Sequence, residues 1–264
     1  MARRAPFPVI AALIRFLRDA IVIAALATTM APPCAAQGNV DGFVPRLYRN
    51  GREAMPFRLF MPAGYDPQKK YPLIVWLHGA GGAGQDNLRQ ISGDQIPGTR
   101  TWTKPDSQTK YPAFVLAPQS PGRWADGSRD GLSPPLLLVV GILDLLESQF
   151  SIDPHRIYVA GQSDGGYGVW ELITKRPELF AAAIPVCGGG DPTRAARVVK
   201  MAIWAFHGDA DQTIPVTASR QMIAAIQRAG GHPRYTEYKG AGHDVWTRAF
   251  AEPGLTDWLF DQHE

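Results

Sequence analysis

Five short runs in the chain are apolar at nearly every position rather than at alternate ones: PLIVWLHG (72–79), AFVLAPQ (113–119), RIYVAGQ (156–162), AAIPVC (182–187) and MAIWAFHG (201–208). A strand that is hydrophobic on both faces needs cover on both, as in a parallel sheet between two helix layers. Helical patterns lie between the runs. Ser133-Pro134 starts one, with Leu136, Val139, Val140 and Leu143 as its apolar stripe to about Phe150. Another follows Val216, with Met222, Ile223 and Ile226 facing inward and Gly230-Gly231 closing it. Ahead of all these, FVPRLYR and MPFRLFMP flank Asn50-Gly51, and Phe57, Leu59 and Met61 alternate against Arg58, which predicts an antiparallel pair at a sheet edge. The alternation of strand and helix predicts an α/β fold, a doubly wound, mostly parallel sheet with antiparallel amino-terminal edge strands. Residues 82–111 are polar and lack a period, and are expected to form a surface excursion near the functional site.

At 264 residues the chain has the length of one catalytic domain. Its amino end carries Arg3, Arg4, Arg15 and Arg18, then an apolar run from Ala20 to about Ala27, then small residues and prolines. This is the pattern of a secretory signal, with cleavage expected after Ala36 and the catalytic domain occupying 37–264. The run is shorter than the roughly 20 residues a membrane span needs, so no stable membrane anchor is expected. Removing 1–36 takes four arginines and Asp19 from a chain of net charge +3, which leaves a neutral domain. A neutral domain carries no electrostatic footprint for nucleic acid. It also keeps only Cys187, so no internal disulfide is expected after export, to the periplasm or beyond.

GQSDGG, residues 161–166, follows a β run and precedes the helical pattern DGGYGVWELITK. Ser163 therefore falls on a strand-to-helix turn, where glycines on either side allow a strained backbone that pushes a nucleophilic hydroxyl out of the sheet. A serine needs a base to take its proton. His243, in the glycine-flanked loop GAGHD after the last strand pattern, is the candidate; His78 and His207 end strands, His155 precedes the serine's strand, His232 lies in a turn and His263 is terminal. The acid is expected after the run 201–208, where FHGDADQTIPV offers Asp209 and Asp211. Asp211 is favoured because the chain must leave the sheet before a side chain can turn back to the histidine. An oxyanion hole needs two backbone N–H groups, one following the nucleophile and one from the first strand-helix loop. Asp164 and Ala80 are expected to supply them, with Gly81 the alternative in LHGAGG. That loop lacks the lysine of a phosphate-binding P-loop. Trp124 and Gln119, near the ends of apolar runs or in loops, are expected to line a substrate pocket together with Trp246, and Trp102 also falls in a loop that can reach it.

LHGAGGAGQDN, RIYVAGQSDGGYGVWEL, FHGDADQTIPV and GAGHDVWTRAFAEPGLTDWLFDQ together resemble the secreted α/β-hydrolase esterases related to polyhydroxybutyrate-depolymerase-like, feruloyl and acetyl-xylan esterases, many of whose relatives are labelled predicted peptidases of the prolyl oligopeptidase family. The resemblance runs from about Val44 to the carboxyl end. It implies Ser163 as nucleophile, Asp211 as acid, His243 as base, the His78-Gly79 loop as oxyanion donor and Trp246 as a pocket wall. Asp164 departs from the apolar residue many relatives carry; its carboxylate is expected to bond to the helix amino end, the alternative being that it repels an anionic substrate.

The reading that follows is a secreted serine carboxylic ester hydrolase acting on a small-molecule or polymer ester, with no cofactor and no metal, since no His/Cys/Asp group has ligand spacing. A serine peptidase on the same machinery is the alternative, and a catalytically inactive binding protein on a hydrolase scaffold is the alternative from another class.

Overall fold

The computed structural model describes residues 38–127 and 131–264; the expected leader and its cleavage site lie outside the described residues. One eight-stranded sheet organises them, in the order β1-β2-β4-β3-β5-β6-β7-β8. The strands are β1 (Phe43–Asn50), β2 (Glu53–Phe60), β3 (Tyr71–Leu77), β4 (Phe114–Pro118), β5 (Ile152–Gln162), β6 (Ala182–Val186), β7 (Ala202–Gly208) and β8 (Arg234–Tyr238). β1 pairs antiparallel with β2, and β2 antiparallel with β4. Every later pairing, from β3·β4 to β7·β8, is parallel. The five continuously apolar runs become β3 to β7.

Alternate residues of the central strands feed two cores. Leu73, Val75 and Leu77 of β3 and Ile157 and Val159 of β5 pack on one face. With them lie the apolar stripes of α3 (Pro134–Gln149), α4 (Asp164–Lys175) and α5 (Thr217–Arg228). Ile74 and Trp76 of β3 and Tyr158 and Ala160 of β5 face the other way. They meet Trp102 from α1 (Ile96–Thr103), Ala249 from α6 (Trp246–Ala249), and Leu255 and Leu259 from α7 (Leu255–Phe260). A second helix of the 82–111 stretch, α2 (Pro105–Lys110), follows α1 directly. Helices α3 and α5 begin beside Ser133-Pro134 and Val216, as the pattern predicts. Gly230, in the left-handed region at φ 93, then ends α5 as its N–H reaches the Gln227 carbonyl.

Two expectations are corrected. Residues 82–111 are not a loose surface excursion: Gln90, Gln95 and Trp102 are buried, and the Gln90 carbonyl accepts from Trp76 Nε1 at 3.1 Å. Its buried glutamines are held by polar partners, Gln95 Oε1 by the Gly79 N–H at 2.8 Å and Gln90 Nε2 by Asn87 Oδ1 at 2.6 Å, and such a pattern has no hydrophobic period. Arg58, read as the polar face of β2, is 1% exposed. Its guanidinium donates to the carbonyls of Asn87 at 2.6 Å and Gly38 at 2.8 Å, so the charge is met by backbone dipoles under the edge of the sheet.

Candidate active site

Ser163 stands between β5 and α4 with φ 55 and ψ −116, a conformation that costs a side-chain-bearing residue energy and persists only where the surroundings impose it. Here close backbone packing imposes it. A Cβ on Gly165 would lie 2.0 Å from the Leu77 carbonyl oxygen, and one on Gly161 would lie 2.5 Å from the Gly165 oxygen. Only glycine lets α4 approach the ends of β3 and β5 this closely. The Ser163 N–H donates to the Val186 carbonyl at 2.8 Å, which ties the turn to β6.

From this turn a chain of hydrogen bonds runs through two loops. Ser163 Oγ is 2.8 Å from His243 Nε2, and His243 Nδ1 is 2.7 Å from Asp211 Oδ2. Asp211 Oδ1 accepts from the N–H groups of Thr213 at 2.8 Å and Ile214 at 2.9 Å, which closes the loop after β7 and aims the second oxygen at His243. Burial raises the Asp211 pKa, but the bonds from His243 and from the Ile214 and Thr213 amides outweigh it, and the carboxyl is held below its ordinary range. An acceptor fixed this way leaves His243 with its proton on Nδ1 and a lone pair on Nε2 facing the serine. Asp209 is used elsewhere: its carboxylate accepts from the Gly240 N–H at 2.6 Å and pins the turn after β8.

The N–H groups of Ala80 and Asp164 each head a helix, the one-turn Ala80–Gly82 and α4, where first-turn amides have no intrahelical acceptor. Behind Ala80 the loop is braced from three sides. His78 Nδ1–H donates to the Gly79 carbonyl at 2.7 Å and its Nε2 accepts from the Ser120 N–H at 3.0 Å. Burial pulls the His78 pKa down to about 4, so the ring is neutral and its tautomer fixed. Trp124 packs on that ring at 4.7 Å and donates its Nε1–H to the His78 carbonyl at 2.9 Å. The Gly79 N–H donates to Gln95 Oε1 at 2.8 Å.

The pocket expectations are partly corrected. Trp124 and Gln119 are both fully buried, so neither lines a cavity. Gln119 Oε1 accepts from the Asn87 N–H at 2.6 Å, and its Nε2 donates to the Gly82 carbonyl at 3.1 Å and to Asp86 at 2.9 Å, which fastens the loop after β3 to the 86–87 turn. Trp102 is also core. Trp246 is half-buried, its ring edge-on to His243 at 5.4 Å. The Asp164 carboxylate does not turn back on its own helix: it accepts from the Trp124 N–H at 2.9 Å and pairs with Arg123 at 3.5 Å, and so holds the 123–124 loop against α4. Burial raises the Asp164 pKa against these two partners. A cavity of about 550 Å³ opens beside the serine turn, with Asp164, Tyr167, Arg123, Gly189 and Arg194 among its walls.

Two further groups at the site escaped sequence reasoning. His207 is fully buried, with Nε2 3.2 Å from the same Asp211 oxygen that faces His243. The i, i+4 spacing in FHGDAD was the available signal. Cys187 brings its Sγ within 4.8 Å of ligand-capable atoms of His207 and Asp211. Its thiol bonds to the His243 carbonyl at 3.3 Å, and burial pushes its pKa up to about 12, so it is a protonated core thiol.

A strained serine at the end of a central parallel strand, with a histidine and a buried carboxylate arriving on later loops, defines the α/β-hydrolase class. Comparisons with known proteins agree. Residues 138–198 match the prolyl oligopeptidase family. The chain is 26% identical over 246 residues to the probable feruloyl esterase C of Aspergillus niger, covering 88% of this chain and 83% of that protein. It is 27% identical over 238 residues to feruloyl esterase C of Emericella nidulans, with 81% and 79% covered. Among solved structures, a thermostable esterase superposes with a TM-score of 0.80 at 38% identity over 85% of this chain. This chain spans 64% of that esterase's length. A feruloyl esterase module from Clostridium thermocellum shares the fold, at TM-score 0.63 and 16% identity over 87% of this chain and 92% of its own. The partial match to the prolyl oligopeptidase family, the feruloyl esterase relatives and the thermostable esterase structure together support an esterase-like α/β-hydrolase, and the chain is a serine hydrolase.

Proposed function

We propose that the protein hydrolyses carboxylic esters through an acyl-serine intermediate, with Ser163 as nucleophile, His243 as base and Asp211 as the acid that orients it. The observation that carries this reading is the hydrogen-bonded line from Ser163 Oγ through His243 to Asp211 Oδ2 at a strained turn. His243 Nε2 takes the serine proton as Oγ attacks the ester carbonyl. The Ala80 and Asp164 amides receive the oxyanion, each worth roughly 3 kcal/mol of transition-state stabilisation if aimed at it. His243 then protonates the leaving alcohol, and a water molecule repeats the sequence on the acyl-serine. Asp211 stays ionised throughout and stabilises the imidazolium.

The cavity beside the serine and the edge of Trp246 are where the substrate's flanking groups would lie. The feruloyl esterase relatives make esters of phenolic acids the first substrates to try, and a poly(3-hydroxybutyrate) depolymerase of Ralstonia pickettii, 31% identical over 129 residues, makes hydroxyacid polyesters the second. Export fits the arginine-flanked apolar run and a relative described as a secreted protein of Arthroderma benhamiae; amino-terminal sequencing of exported protein should begin near Gln37. The specificity constant for a short-acyl or feruloyl ester should exceed that for the matching amide by orders of magnitude, because an alkoxide leaves with less help from His243 than an amine. A prolyl or alanyl amide cleaved as fast as its ester would make the protein a peptidase.

A further inference from the structure

Asp211 receives hydrogen bonds from more than the Thr213, Ile214 and His243 groups that explain its orientation. His207, the penultimate residue of β7, points its Nε2 at two acceptors, the Ile214 carbonyl at 3.0 Å and Asp211 Oδ2 at 3.2 Å. Two acceptors on one nitrogen require that nitrogen to carry a proton. On the other side of the ring, Nδ1 is 2.7 Å from the Ser219 hydroxyl of α5, which also lies 2.9 Å from the Gly188 carbonyl. The hydroxyl has a single proton. Given to Gly188, it would leave Nδ1 to carry a proton as well and make the ring a buried cation; given to Nδ1, it leaves the ring neutral. Burial favours the neutral ring and draws the His207 pKa below its ordinary value.

We infer that His207 is a positioning residue for the acid: its Nε2–H holds the carboxylate oxygen that His243 uses, and Ser219 fixes the tautomer that makes Nε2 the donor. The inference rests on the reading of Ser163, His243 and Asp211 as the reacting set. With His207 in place, Oδ2 divides its charge between two N–H groups, and Asp211 cannot rotate without breaking a bond at each oxygen. His207 therefore restrains how strongly the carboxylate stabilises a protonated His243. The other ionisable groups at this corner are Cys187 at the end of β6, Tyr167 on α4, Glu237 on β8, which is forked to Arg220 at 2.9 and 2.6 Å, and Asp244 next to His243. None is hydrogen-bonded to either oxygen of Asp211.

The test measures kcat and kcat/KM against pH on an activated ester for wild type, His207→Leu, His207→Gln and Ser219→Ala, with folding checked by circular dichroism. His207→Leu removes the donor; the expected result is a fall in kcat of roughly tenfold with KM little changed. The acidic limb of kcat/KM should move to higher pH by about half a unit, because Oδ2 then gives its whole charge to His243 and favours its protonated form. His207→Gln, which can place an N–H near the position of Nε2, should recover most of kcat and return the limb. Ser219→Ala should shift both in the same direction by less, and it decides the matter if His207→Leu does not fold. A folded His207→Leu with a wild-type pH profile, equal losses in the Leu and Gln variants, or an unaltered Ser219→Ala would overturn the inference. Ser163→Ala measured alongside separates the two readings: if it is inactive while the His207 series is flat, only the positioning role fails.

Discussion

Asparagine at position 211 would keep the shape of the acid while reversing its chemistry. Oδ1 already accepts two amide N–H groups, from Thr213 and Ile214, so the asparagine oxygen takes that place and its NH2 takes the place of Oδ2. The NH2 can only donate. At 2.7 Å it then faces His243 Nδ1, which must give up its proton and become an acceptor. The imidazole proton moves to Nε2, the nitrogen 2.8 Å from Ser163 Oγ, and the base is lost. A tautomer reversal of this kind in a triad lowers kcat by about 10⁴-fold, or about 5.4 kcal/mol of barrier. The same NH2 faces the Nε2–H of His207, so stability should also fall by about 1–3 kcal/mol, the usual penalty for opposed buried donors. Asp209→Asn is the control, because its side-chain oxygen can still accept from the Gly240 N–H; its kcat should stay within about threefold of wild type. Steady-state hydrolysis of p-nitrophenyl acetate, with urea unfolding of each variant, reads both effects. A folded Asp211→Asn enzyme within tenfold of wild type, or a larger loss in Asp209→Asn, would refute the assignment.

Gly165→Ala should cost about 3 kcal/mol in urea unfolding and depress kcat with it, because the new Cβ meets the Leu77 backbone at 2.0 Å and α4 must move away from the serine; a variant as stable and active as wild type would show that the turn is looser than it stands here. His78 has its pKa lowered from 6.5 to about 4 by burial, so the unfolded chain takes up this proton before the folded one does. The stability it contributes is present above pH 6.5 and lost as pH falls toward 4, by at most about 3 kcal/mol, with buried His207 acting in the same direction. Unfolding free energies across that range should fall more steeply for wild type than for His78→Asn; parallel slopes would contradict the neutral, buried ring.

Much of this arrangement could be read from the chain before any coordinates. The central strands were visible because both of their faces are buried, which leaves no polar alternation, and the serine turn was visible because its flanking positions must be glycine, a Cβ on Gly165 falling 2.0 Å from the Leu77 carbonyl oxygen. The 82–111 region was not, since it is buried on polar residues that show no hydrophobic period, and the partner of Gln95 Oε1 is the Gly79 N–H, 16 positions back in the chain. Trp124 and Gln119, expected to line a pocket, are instead fully buried. Their polar atoms turn inward to His78, Asn87 and Gly82, residues 32 to 46 positions away, and only the fold reveals that they brace the loop after β3 rather than line a cavity. Arg58 shows the same limit in reverse: an arginine in an alternating strand reads as solvent-facing until the carbonyls that enclose it are located.

The central claim is that the Ser163 oxygen forms the covalent acyl bond. A fluorophosphonate mimics the tetrahedral intermediate and bonds only to a serine whose proton a neighbouring base removes. After incubation with it, intact-protein mass spectrometry should show one adduct, peptide mapping should place it on Ser163, and loss of ester hydrolysis should track its formation one for one. Ser163→Ala should take up no label and show no hydrolysis above the uncatalysed rate while unfolding at the wild-type temperature. Labelling at another serine, or a Ser163→Ala protein that still turns over ester, would contradict the account.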